Sequence, residues 1–183
     1  NNFALSLLAA IPLICFSGSS LLMWAIGRLG TSERIIKWAL TTLFIGLIAR
    51  TFTGLPGLYV FSFVVGISIA VMNYEIPAWV KEYAASDTGF ITGAYSTIMG
   101  LMGSLSIAIS VPLAHLNHLS WRMAMLPWIF LAGFSAIFWH SRKSTTSKGE
   151  LQRIQPFWRT SIFRNPLAWA LAFYFGLQSF TYY

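Results

Sequence analysis

The sequence predicts an all-α integral membrane protein, and three observations predict it. The first is length of apolar run. Phe3–Ile26, Leu58–Val80, Thr92–Ala114 and Trp121–Trp139 are each about long enough to cross ~30 Å of hydrocarbon as helix. The second is composition: 56% hydrophobic and 9% charged, with a mean hydropathy of +0.66. A soluble domain carries roughly a quarter charged residues. The third is charge placement. Ten of the twelve lysines and arginines fall in alternate gaps between the runs, and short loops rich in Lys and Arg stay on the cytoplasmic side.

The elements follow in order. Phe3–Ile26 is too long for a signal peptide and has no basic flank before it, while Arg28 and Arg34 follow it. Its C-terminal end is therefore expected in the cytoplasm, with Arg28, Arg34 and Lys37 in the first loop. Trp38–Phe52 is shorter and needs its flanks to complete a crossing. The second loop, Thr53 to Gly57, holds no charge, with Arg50 just inside the preceding run, and reads as external. After Leu58–Val80, Lys81, Glu82 and Asp87 form an internal third loop. After Thr92–Ala114, the loop around His115, Asn117 and His118 has only Arg122 nearby and reads as external. Trp121–Trp139 returns the chain to the inside. Several Trp and Tyr residues lie near run ends, where amphipathic rings favour the headgroup layer.

Residues 1–140 thus form a membrane unit, 141–165 a long cytoplasmic loop, and 166–183 the start of a sixth run. The loop holds six of the basic residues, from Arg142 to Arg164. Its first part, Ser141 to Gly149, is small, polar and basic, as flexible linkers are. In its second part Leu151, Ile154, Trp158 and Ile162 recur at helical spacing, with Pro156 as a break. An interfacial amphipathic helix and a loop packed loosely on the membrane face both fit that pattern. Because the chain opens on Asn1 and stops inside an apolar run, it reads as a piece of a longer protein.

Polar residues inside the runs are the candidate functional groups. Pro77 has no N–H to donate, so the carbonyl of Asn73, four residues back, loses its helical partner. Such breaks at membrane depth need protein or a water-filled cavity to satisfy the freed group. Asn73 is a candidate solute contact and Pro77 a candidate kink or gate; an ordinary kink with an interhelical hydrogen bond is the alternative. Glu75 is the only acid within an apolar run, about 9 Å along the helix from Lys81. It is either a proton-coupling carboxyl or a group reaching the interface or a loop arginine. Gly93, Thr97, Gly100 and Ser104 share one helix face, expected to let another helix approach closely, with Gly93 and Gly100 as gating candidates. Tyr95, off that stripe, is a candidate solute contact or a packed aromatic. In the final run Gln178 lies about twelve residues past Pro166, near mid-membrane, and is a candidate site residue with Tyr174 one turn away.

Other classes are poorly supported. His115 and His118 have no Cys, Asp or Glu near them to complete a metal site. No phosphate-binding glycine loop and no nucleophile with a paired base is visible, so neither an enzyme nor a cofactor is expected. The net charge of +7 is spread over separate loops rather than forming a stripe, which argues against nucleic acid. Cys15, the lone cysteine, excludes a disulfide within the chain and reads as a small packing residue.

Three stretches carry a family resemblance. They are Gly66-Ile67-Ser68-Ile69-Ala70 with Asn73, Pro77 and Lys81; Thr92-Gly93-Ala94-Tyr95-Ser96-Thr97; and Arg164-Asn165-Pro166-Leu167-Ala168-Trp169 with Gly176-Leu177-Gln178-Ser179. Together with Trp121-Arg122 and the long central loop, the chain resembles the major facilitator superfamily, and within it the cyanate and 2-nitroimidazole transporter (CynX/NimT-like) family. The resemblance implies a partial major facilitator fold, helices two to six with the start of helix seven, in a bacterial cytoplasmic (inner) membrane. It further implies secondary active or facilitative transport of a small polar or anionic solute by alternating access, with protons as a coupling partner to be tested at Glu75. Two departures stand out. The superfamily's G-x-x-x-D-R-x-G-R-R loop is here Gly27-Arg28-Leu29-Gly30-Thr31-Ser32, without the aspartate, and Leu101 stands where drug antiporters have proline. A facilitator-type drug exporter and a membrane sensor without transport are the rival readings.

Overall fold

The computed structural model describes residues 2–26, 30–83, 86–115 and 122–142. All of these lie in one compact unit, Asn1–Leu151. The long loop from residue 143 onward and the final run, with Tyr174 and Gln178, lie outside the described residues, as do Arg28, Asn117, His118 and Trp121.

Five α-helices account for nearly all the described chain: α1 (Asn2–Ile26), α2 (Ser32–Phe52), α3 (Leu55–Tyr83), α4 (Thr88–His115) and α5 (Leu126–Ser141). Helix is the form expected in lipid, because each segment then satisfies its own backbone polar groups. Three helices, spanning Ser32–Phe52, Leu55–Glu82 and Thr88–Leu113, are long and apolar enough to cross a membrane.

The boundaries differ from the apolar runs in instructive ways. α2 begins at Ser32, six residues before the apolar run, so Arg34 and Lys37 sit on its first turns rather than in a loop. Glu33 in that first turn favours the positive helix end and pairs with Lys37 at 3.1 Å one turn on. The backbone N–H groups of Arg34 and Ile35 both donate to the Thr31 carbonyl, closing the helix start. Gly30 leads in with a φ of 150°, a backbone that residues with a Cβ rarely adopt. At the other end only Thr53 and Gly54 separate α2 from α3, so the two helices are antiparallel neighbours. α5 begins later than its run. A 3-10 turn, Met123–Met125, precedes it and adds about 6 Å to the roughly 24 Å of a 16-residue helix, which restores a membrane-length path.

α3 is the centre of the bundle. α2 pairs with it closely, α1 packs on it, and α5 packs on α2. Ile35, Ala39 and Val71 form a buried cluster between α2 and α3, covered by Met23, Ile26, Ile67 and Met72. Close approach is made through small residues, the usual device between apolar helices in lipid. A Cβ at Gly66 of α3 would lie 2.8 Å from the Cys15 Sγ of α1, and one at Gly133 of α5 would lie 2.8 Å from the Phe44 ring of α2. Cys15 is buried and its thiol donates weakly to the Phe63 carbonyl at 3.6 Å, as befits the packing residue read from the sequence. α4 stands apart: it buries none of its spanning window within the described residues, and Trp128 of α5 donates to its Ser110 at 3.2 Å.

Candidate functional site

The two ends of this bundle differ. One, here the basic end, gathers the start of α2 and the ends of α3 and α5. Trp79 of α3 and Trp139 of α5 meet edge to face with centroids 5.5 Å apart. The Arg142 guanidinium lies within cation–π range of both. With Glu33 these three residues line a void of about 10 Å³, room for roughly one water. Glu75 belongs to this end. It is buried, at 5% exposure, with the Ser32 hydroxyl as its hydrogen-bond partner and Glu82 as a neighbouring like charge. Among the described residues the carboxyl is thus held between α3 and the start of α2.

The opposite end holds the larger space, a cavity of about 140 Å³ between α1, α2 and α3. Leu8, Pro12 and Phe16 wall it from α1, Arg50 from α2, and Ser62, Val65, Gly66 and Ile69 from α3. Gly66, by admitting α1 so closely, shapes the floor of this pocket. The Arg50 Nε is buried and has no hydrogen-bond partner among the described residues. The Ser62 hydroxyl donates to the Leu58 carbonyl at 2.6 Å, leaving its oxygen lone pairs as acceptors.

The sequence-predicted site residues distribute around this geometry. Asn73 is exposed on α3, four residues beyond Ile69 and so on the same helix face, about 6 Å further toward the basic end. α3 continues as one helix through Pro77. Tyr95 is half-buried on α4, two turns into that helix. Gly93 and Gly100 are exposed and a Cβ at either would meet nothing within 4 Å, so their stripe packs against no described residue. The stripe's hydroxyls bond their own helix, Thr97 to the Gly93 carbonyl at 2.9 Å and Ser104 to that of Gly100 at 3.2 Å. Close approach is made instead at Gly66 and Gly133. Gln178 and Tyr174 lie outside the described residues.

Arg50 is the residue that sequence reasoning passed over. It was legible only as a flanking charge at the end of a run. The signal that sets it apart is that Arg50 lies inside α2, whereas Arg122 lies before α5.

Comparison with known proteins agrees with this membrane architecture. The chain is 28% identical over 184 residues to an uncharacterized transporter, YycB, of Bacillus subtilis (strain 168), a match covering 100% of this chain and 45% of the relative. It is 29% identical over 177 residues to a 2-nitroimidazole transporter of Escherichia coli (strain K12), covering 97% of this chain and 45% of that protein. The chain thus spans about half the length of the curated relatives it matches. No family model matches it, and no solved structure matches it. The transporter resemblance read from three short stretches therefore extends along the whole chain. Together the apolar helices and the transporter relatives identify an integral, multi-pass membrane protein of a kind whose relatives are transporters rather than enzymes.

Proposed function

We propose that this chain is one part of a secondary transporter that carries a small polar or anionic solute across the membrane by alternating access. The observation that carries the reading is similarity to proteins named as transporters across essentially the full 183 residues, rather than over one shared motif. The α3 face gives it a physical route. Ser62, Gly66, Ile69 and Asn73 fall on that face at intervals of about one turn, from the 140 Å³ cavity toward mid-membrane. Asn73 adds an amide and a main-chain carbonyl freed by Pro77. Tyr95 and, in the final run, Gln178 and Tyr174 are the further solute contacts in this reading, with Gly93 and Gly100 as the surface against which the remainder of the protein moves.

Transporter sites of this kind lie near the midplane, between two halves that rock to expose them alternately. The basic end is cytoplasmic in this reading, in a bacterial inner membrane, because ten of the twelve cationic residues fall in the alternate gaps of the sequence that this end would gather. The relative named as a 2-nitroimidazole transporter and the cyanate-type resemblance suggest the first solutes to try.

The test is counterflow in vesicles reconstituted with the full-length protein and preloaded with unlabelled solute. Labelled cyanate or 2-nitroimidazole should accumulate transiently above the level in protein-free vesicles. Absence of counterflow for these and for a panel of small anions and heterocycles overturns transport and favours a sensor. Net extrusion of a labelled nitroimidazole from intact cells identifies an exporter.

A further inference from the structure

We propose that the cavity between α1, α2 and α3 is an anion-binding site, in which the Arg50 guanidinium takes a small monoanion entering from the end of the bundle opposite the basic one. The proposal deepens the transport reading and rests on it for the route the anion follows.

Charge balance within the chain is the first argument. Only five acidic residues are present. Glu33, Glu75, Glu82 and Asp87 all lie toward the basic end, and Glu150 is outside the described residues. Glu33 is seventeen positions before Arg50 on the same helix, about 25 Å away along its axis. Glu75 is six positions beyond Ile69, the α3 lining residue nearest to it, about 9 Å further along toward the basic end. No carboxylate lines the cavity.

Local compensation is the second. An arginine in the last turn of a helix gains from the negative helix end. Here two carbonyls near that end already accept side-chain or cap bonds. Thr51 Oγ1 donates to the Leu47 carbonyl at 2.8 Å, and Thr53 donates to the Ala49 carbonyl through both its N–H, at 3.0 Å, and its Oγ1, at 2.7 Å. The guanidinium keeps a buried Nε without a partner among the described residues. A buried donor left unpaired leaves the charge of this guanidinium poorly compensated, and the same side chain lines the cavity, where its outer N–H groups can donate charge-assisted bonds to an anion.

Size is the third. A cavity of about 150 Å³ holds benzene in other proteins, so 140 Å³ suits a solute of about three to six heavy atoms. The walls other than Arg50 and Ser62 are apolar, which disfavours strongly hydrated dianions and favours a planar monoanion that a guanidinium can grip with two parallel bonds.

The experiment uses the purified full-length protein in phosphatidylcholine nanodiscs. Thermal unfolding is followed by tryptophan fluorescence at constant ionic strength. Sodium nitrate and sodium formate are the probes and sodium gluconate is the bulky control. Nitrate and formate should raise the midpoint saturably, and gluconate should not. R50Q should weaken the nitrate response about tenfold or more, the loss expected when a charged hydrogen bond is removed. R50K, which keeps the charge but not the two-bond grip, should retain only part of it, and Ile69→Trp, which fills the pocket while keeping the charge, should abolish it. A wild-type response equal for gluconate, no saturable response, or a nitrate response unchanged in R50Q overturns the site. A response to phosphatidylglycerol that depends on Arg50, with none to nitrate, also overturns it and assigns the arginine to a lipid headgroup. Nitrate binding that passes these controls in a protein without counterflow supports the site and overturns the transport reading instead.

Discussion

The Arg142 guanidinium carbon lies 5.6 Å from the centroid of the Trp79 ring, joining the residue just past α5 to the last turns of α3. Trp139 completes the contact from the α5 side, 5.5 Å from the same guanidinium. Both rings are amphipathic and sit at the ends of the apolar helices α3 and α5, where a cation can lie over an aromatic face without leaving the headgroup layer. Arg142 is therefore clamped between α3 and α5.

Removing that clamp should be measurable. Arg142→Ala is expected to cost about 0.5–1 kcal/mol, the range for a solvent-facing cation–π contact. Arg142→Lys should recover part of the loss, and Trp79→Leu should remove at least as much as Arg142→Ala. Thermal unfolding midpoints in detergent check the order, and equal midpoints for all four proteins dismiss the contact as ornamental.

Gly66 makes a second prediction. Its Cβ in an alanine variant would sit 2.8 Å from Cys15 Sγ and 3.2 Å from Cys15 Cβ. Gly66→Ala is expected to destabilise by about 1–3 kcal/mol through overpacking between α1 and α3. Cys15→Ala in the same protein removes the sulfur but leaves the Cβ, so it should restore only part of the loss. A double variant no better than Gly66→Ala argues that the two helices separate rather than clash.

Glu75 is tested through pH. Its carboxyl is buried beside Ser32, and a glutamine there keeps the shape and a hydrogen-bonding amide. Glu75→Gln in the full-length protein should therefore preserve folding while flattening the dependence of solute uptake on pH. An unaltered profile assigns Glu75 to holding α2 against α3 and removes it from coupling.

Sidedness follows from the helix order. Gly54 and Ser86 are exposed in turns at opposite ends of α3, and Cys15, the one cysteine of this chain, is buried. In a Cys15→Ala background, Gly54→Cys should react with an impermeant maleimide in intact cells, and Ser86→Cys only after the membrane is opened. The reverse pattern inverts the proposed orientation.

Much of this molecule was legible before folding. Each of the five apolar runs became one helix, and the charged residues mark their ends. The first-loop charges Arg34 and Lys37 proved helical because the Glu33–Lys37 pair and the Thr31 carbonyl extend α2 beyond its apolar stretch. Asn73 and Glu75 were visible as polar groups in an apolar run. What could not be read was which way each faces: Asn73 is exposed while Glu75, two residues on, is buried.

The division between the two sources of information has a physical cause. Within lipid a segment must satisfy its own backbone, so a long apolar run with cationic flanks dictates a helix and its ends whatever its neighbours do. Sequence alone therefore determined the spans, their order and the concentration of positive charge at one end. Helix pairing follows a different rule. Lipid tails are as apolar as leucine, so the runs carry little contrast between packed and lipid-facing sides, and contacts are chosen by the shapes of small residues meeting across helices. Only the tertiary structure could bring Cys15 to Gly66, Arg142 to Trp79, and Arg50 to the mouth of a cavity shared by α1, α2 and α3.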